Sequence, residues 1–83
     1  MKMHTFFSKL EERIDSVNSL LCVGLDPHPG DLNRSSGVDA KDFCLRLIDA
    51  TLSFAAAYKP NAAFFEALGA EGFVALKEVI EAI

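Results

Sequence analysis

Two short apolar runs, each stopped by one charged residue and a proline, constrain this chain more than any other feature. The first is Leu20-Leu21-Cys22-Val23-Gly24-Leu25, halted by Asp26-Pro27; the second is Phe54-Ala55-Ala56-Ala57-Tyr58, halted by Lys59-Pro60. The first does not alternate polar with apolar residues, so it reads as a strand covered on both faces, as in parallel sheets. In such α/β proteins ligands bind beyond the carboxyl ends of the strands, where these two charges stand. They differ in sign and lie 33 positions apart, about one strand–helix–strand unit. The pattern suggests half of an active site.

The segments around these runs supply the helices. Residues 5–17 predict an amphipathic helix capped by Thr5, with Phe7, Leu10, Ile14 and Val17 inward and Lys9, Glu11, Glu12, Arg13 and Asp15 outward. Residues 20–25 are the first strand. From Pro27 to Gly37 the prolines and glycines predict a long polar loop without regular structure. Residues 39–53 read as a second helix with Asp39 as N-cap. Its buried stripe is Phe43, Cys44, Leu47, Ile48 and Leu52, and its wet side is Lys41, Asp42, Arg46 and Asp49.

Residues 54–59 have alanine-rich helix propensity, but a residue before proline is pushed toward extended backbone. They are read as a short strand with small side chains. Asn61 to Leu68 reads as a brief helix capped by Asn61 and closed by Gly69. A last helix starts near Glu71, with Phe73, Leu76, Val79, Ile80 and Ile83 on one side. It shows no stop signal, so the expectation is that the helix is cut there.

Two parallel strands alone would leave both outer edges unpaired and their faces uncovered. A doubly wound sheet or a (β/α)8 barrel of about 250 residues supplies that cover. The fold expected is α/β: the first two strand–helix units of a TIM barrel behind an N-terminal helix that closes its floor. The 83 residues would then be a piece of something larger.

Composition narrows the partners. At 51% hydrophobic and 24% charged the chain has ordinary globular proportions. A net charge of −4 speaks against nucleic acid and against anionic membrane surfaces, while a small anionic ligand can still find a locally positive site. No apolar run is long enough to span a bilayer, and charges interrupt the N-terminal segment before a signal sequence could form. Cys22 and Cys44 are read as buried free thiols of a cytoplasmic protein, with no spacing that suggests zinc.

On parallel strands Asp26 and Lys59 would share one rim, about 4.8 Å apart from strand to strand. A carboxylate there accepts hydrogen bonds from sugar hydroxyls; an ammonium donates to a hydroxyl or holds a carboxylate ionised. A structural ion pair fits the spacing equally well.

The wording Asn18-Ser19-Leu20-Leu21-Cys22-Val23-Gly24-Leu25-Asp26-Pro27, followed by Ala57-Tyr58-Lys59-Pro60-Asn61-Ala62-Ala63-Phe64-Phe65-Glu66, resembles the orotidine 5'-phosphate decarboxylases, most of all their longer bacterial subgroup. The resemblance covers essentially the whole chain. It implies a (β/α)8 barrel that converts orotidine 5'-phosphate to UMP and CO2 without metal or organic cofactor, acting as a cytoplasmic homodimer. Residues 1–83 would be the incomplete N-terminal part of that single domain. Asp26 would bind the ribose of the nucleotide. Lys59 would bind it too and join an alternating Lys–Asp–Lys–Asp charge network. Asn61, His28 and Glu66 receive no role.

The family's third-strand motif, Asp-x-Lys-x-x-Asp, supplies the proton-donating lysine and an aspartate that reaches the partner subunit's site. Asp39-Ala40-Lys41 imitates its first half, but Cys44 stands where the second aspartate belongs. These residues open a helix and are read as cap and surface charge. The chain alone is therefore expected to lack decarboxylase activity and to aggregate or stay partly unfolded. Other readings are a different sugar-phosphate barrel, such as a formaldehyde-fixing or keto-gulonate-phosphate enzyme, and a non-catalytic remnant that serves as an interaction piece. His4 has no partner pattern. His28 is read as a solvated loop residue that could border the site, and the Phe64-Phe65 pair as packing rather than a base-stacking platform.

Overall fold

The computed structural model describes residues 5–32 and 36–83; His4 and residues 33–35 of the predicted loop lie outside them. The chain runs helix α1 (Phe6–Val17), strand β1 (Cys22–Leu25), helix α2 (Gly37–Thr51), strand β2 (Ala57–Pro60), short helix α3 (Ala62–Glu66) and helix α4 (Ala70–Ala82). The two strands pair in parallel, Cys22 with Ala57 and Leu25 with Pro60. This is the expected order of two strand–helix units behind an N-terminal helix.

Helix α1 starts where its cap predicts. The Thr5 hydroxyl accepts the Ser8 N–H at 3.1 Å, and the Ser8 hydroxyl accepts the Thr5 N–H at 2.9 Å, a reciprocal box that satisfies two orphan donors. Arg13 departs from the outward position expected of it. Its Nε donates to the Ala55 carbonyl at 3.2 Å and its Nη2 to the carbonyl of Leu52, the residue that caps the end of α2. A guanidinium meets carbonyls that a helix end leaves without partners, and so fastens α1 to the turn before β2.

Helix α2 begins two residues earlier than its pattern suggests. Ser36, not Asp39, is the N-cap: its hydroxyl accepts the Asp39 N–H at 3.2 Å, which places Asp39 inside the first turn. There a carboxylate complements the helix dipole. The loop before it is not wholly irregular either, since Pro29–Asp31 forms a 3-10 turn. A proline at the start of such a turn gives up a donor that would have no partner anyway.

One core lies between the sheet and the helices, made by Leu25, Ala40, Cys44, Ile48, Phe65, Ala75 and Val79. Val23 and Tyr58 pack against it from the same face of the sheet. The Tyr58 hydroxyl reaches the last turn of α2, 2.8 Å from Thr51 Oγ1 and 3.2 Å from the Ile48 carbonyl oxygen.

Helix α4 buries Gly72, Ala75 and Val79 and leaves Phe73, Ile80 and Ile83 about half exposed. Small residues win over large ones here because the helices touch at their backbones. A Cβ on Gly72 would fall 1.7 Å from the Phe65 carbonyl oxygen, and one on Gly37 would fall 2.5 Å from that of Glu71. Beside this contact Lys41 of α2 pairs with Glu78 of α4, and the hydrogen bond and charge of Glu78 raise the Lys41 pKa. Gly69, at φ 68° and ψ −144°, takes a backbone conformation that favours glycine between α3 and α4.

Cys44 is fully buried and Cys22 is exposed; both are free. The exposure of Cys22 corrects the expectation that both thiols are inside. Among the described residues helices pack on one face of the sheet, and Cys22 belongs to the other.

Candidate functional site

The uncovered face of the sheet carries both charges singled out by the sequence. Gly24 is in register with Lys59, and residues in register on parallel strands share a face. Asp26 is two positions beyond Gly24, so it stands on that face as well, while Leu25 between them points into the core. A Cβ placed on Gly24 would meet Asp26 Oδ2 at 3.2 Å, so the carboxylate folds back over the glycine that pairs with Lys59. Asp26 and Lys59 are exposed, at the same carboxyl end of the sheet.

Local structure holds these ends. The Asn61 N–H donates to the Leu25 carbonyl at 3.1 Å, which prolongs the ladder one step past Pro60. Its side-chain oxygen accepts the Ala63 N–H at 3.2 Å and caps α3. The residue that the sequence left without a role is thus a hinge between strand and helix. Pro27, immediately after Asp26, is fully buried and turns the chain away from the strand axis.

His28 does more than sit in solvent. Its Nδ1 accepts the Gly30 N–H at 3.1 Å, and its ring packs against Phe64 with centroids 5.7 Å apart and planes at 58°. Phe64 is therefore partner to the rim loop, whereas Phe65 is core. Neither forms the base-stacking pair considered from the sequence. Glu66 is exposed at the end of α3.

Beneath the rim, the Cys44 thiol is pushed up to about 11 by burial first and by the nearby Asp26 charge second. A neutral thiol below a carboxylate adds no competing charge to the face. Among the described residues no group of three or more His, Cys, Asp or Glu could hold a metal ion, and no helix is long and apolar enough to cross a membrane. The chemistry available to the face is that of one carboxylate and one ammonium: it can grip hydroxyls and order charge.

No protein-family model matches the chain. Individual proteins do. A Leptospira interrogans orotidine 5'-phosphate decarboxylase is 47% identical over 78 residues, covering 90% of this chain and 28% of the relative. A Leishmania donovani OMP decarboxylase structure superposes with a TM-score of 0.83 at 52% identity, covering 96% of this chain and 29% of that one. A Toxoplasma gondii structure assigned as an orotidine-monophosphate decarboxylase superposes with a TM-score of 0.92 at 50% identity, covering 95% and 27%. The chain spans less than a third of the length of the relatives it matches. Over nine-tenths of its own length it is similar, in sequence and in backbone, to one stretch of the orotidine 5'-phosphate decarboxylases, and its two strand–helix units are those of their barrel.

Proposed function

We propose that these residues serve an orotidine 5'-phosphate decarboxylase, a carbon–carbon lyase of pyrimidine biosynthesis, by supplying part of its nucleotide site. The observation that carries the reading is the shared face and shared end of Asp26 and Lys59. Two residues gripping one ribose must do so from the same mouth.

In this reading Asp26 accepts hydrogen bonds from ribose hydroxyls, and Lys59 donates to the ribose while ordering the carboxylates around it. The bond between the pyrimidine ring and its carboxylate breaks, CO2 departs, and the ring carbon left with the electron pair takes up a proton. The donor of that proton is the lysine of an Asp-x-Lys-x-x-Asp motif, which this chain does not contain. The role of the chain's own pair is positioning and electrostatic preorganisation.

The working protein is a closed (β/α)8 barrel, a homodimer, and cytoplasmic. A hollow of about 390 Å³ along β2 and α4, lined by Tyr58, Pro60, Leu76, Ile80 and Ile83, supports the closure, because an apolar flank at a free strand edge suits a further strand–helix unit.

The test is a chimera in which residues 1–83 replace the matched stretch of the Leptospira interrogans relative. Loss of orotidylate absorbance by the chimera, and none with the isolated chain, is the expected pair of results. Asp26→Ala and Lys59→Ala should each lower kcat/KM by about a hundredfold or more. Turnover that survives both substitutions would end the assignment.

A further inference from the structure

The loop after β1 and the helix after β2 meet through a ring contact between His28 and Phe64, and that contact has a geometric consequence. His28 is held from four directions. Its N–H donates to the Asp26 carbonyl at 2.7 Å, its carbonyl accepts the Asp31 N–H at 2.9 Å, its Nδ1 accepts the Gly30 N–H, and its ring lies on Phe64. Phe64 is tied in turn to the second strand end, since its N–H donates to the Asn61 carbonyl at 3.2 Å. A path of contacts therefore runs from Asp26 through His28 and Phe64 to Asn61, two residues past Lys59. Gly30 makes the close approach: a Cβ there would lie 3.3 Å from His28 Nδ1.

We propose that His28 is a positioning residue, a brace between the two rim segments that sets how far Asp26 stands from Lys59. The last ladder bond, from the Asn61 N–H to the Leu25 carbonyl, lies one residue short of Asp26, so the position of the carboxylate also depends on the loop that follows it. Beyond that bond, among the described residues, the imidazole on Phe64 is a side-chain contact between the two rim segments. The inference rests on the proposed nucleotide site only for its kinetic consequence; the brace itself is a statement about this chain.

Two measurements test it separately. Hydrogen exchange on the chimera described above needs no substrate. His28→Ala should release the amides of residues 28, 30 and 31 and also those of residues 62–66, on the far side of the ring contact. Release confined to residues 28, 30 and 31 would overturn the brace, whatever the function.

Kinetics in the chimera supply the second readout. His28→Ala and Phe64→Ala should each raise KM for orotidine 5'-phosphate about tenfold with a smaller change in kcat, and the double variant should be no worse than either one. His28→Asn, whose side-chain oxygen can still take the Gly30 N–H, should recover part of the loss. Additive effects, or an unchanged KM in both single variants, would also overturn the proposal. A chimera with no turnover at all, together with coupled exchange, would condemn the nucleotide reading and leave the brace standing.

Discussion

Lys59 lies opposite Gly24 in the parallel ladder, and the carboxylate of Asp26 covers that glycine from the same strand. The glycine is what leaves room for an acid and a base to approach on one face.

Filling that room should cost ligand grip before it costs folding. In Gly24→Val the added branches compete with the Asp26 carboxylate for the same space, on a face with no helix packed on it. The expected outcome is a fall of about tenfold or more in kcat/KM of the chimera, with a small change in its thermal midpoint. Calorimetry beside the kinetic assay separates the two effects.

At the α3–α4 contact the prediction is reversed. Gly72→Ala puts a methyl group where the Phe65 carbonyl already is, so the helices must part, at a cost of about 1–3 kcal/mol. Phe65→Ala empties the middle of the core and should cost about 3–5 kcal/mol. Urea unfolding of the chimera measures both, and a Gly72→Ala protein as stable as its parent would contradict the backbone contact.

Arg13→Met removes two hydrogen bonds from a charged donor while keeping much of the side chain's bulk. The α2 end and the turn before β2 lose their partner, and about 1–3 kcal/mol of stability should go with it. Arg13→Lys should rescue little, because one ammonium cannot reproduce a fork aimed at two carbonyls. Proteolysis within residues 6–17 should quicken in both variants.

The thiols should separate cleanly in a titration with an aromatic disulfide reagent. At pH 8 Cys22, exposed in these 83 residues, reacts wherever its sheet face is open to solvent, while Cys44 waits for unfolding. The pH dependence has a definite sign. The unfolded Cys44 thiol ionises near 9.0 and the folded one near about 11, so across that window only the unfolded state gives up its proton. Stability should therefore fall as pH rises from about 9 to about 11, and Cys44→Ala should flatten that part of the curve.

Much of this arrangement was legible in the residues. The Thr5 cap, the parallel pair and the common end of Asp26 and Lys59 follow from local rules: a hydroxyl before an amphipathic stretch, and a charge before proline at the end of an apolar run. What escaped the sequence depends on distance between elements. The buried stripe of α4 is Gly72, Ala75 and Val79 rather than the larger Phe73 and Ile80, because close helix approach rewards small side chains and hydropathy does not count them. Arg13 looked like a solvated charge because its carbonyl partners stand about forty positions away. Cys22 looked buried because an apolar strand implies two covered faces, and one of them is bare here.

The tether between the Tyr58 hydroxyl and the last turn of α2 decides more than the fate of one tyrosine. Side chains on an extended segment alternate, so anchoring Tyr58 inward obliges its successor to look the other way. Insert or delete a single residue between Thr51 and Tyr58, and the segment must either tear that anchor or turn its lysine into oil. The aromatic ring thus acts as a ratchet pawl: outside the buried Ala55, the loop ahead of β2 can change its chemistry, but not its length by one.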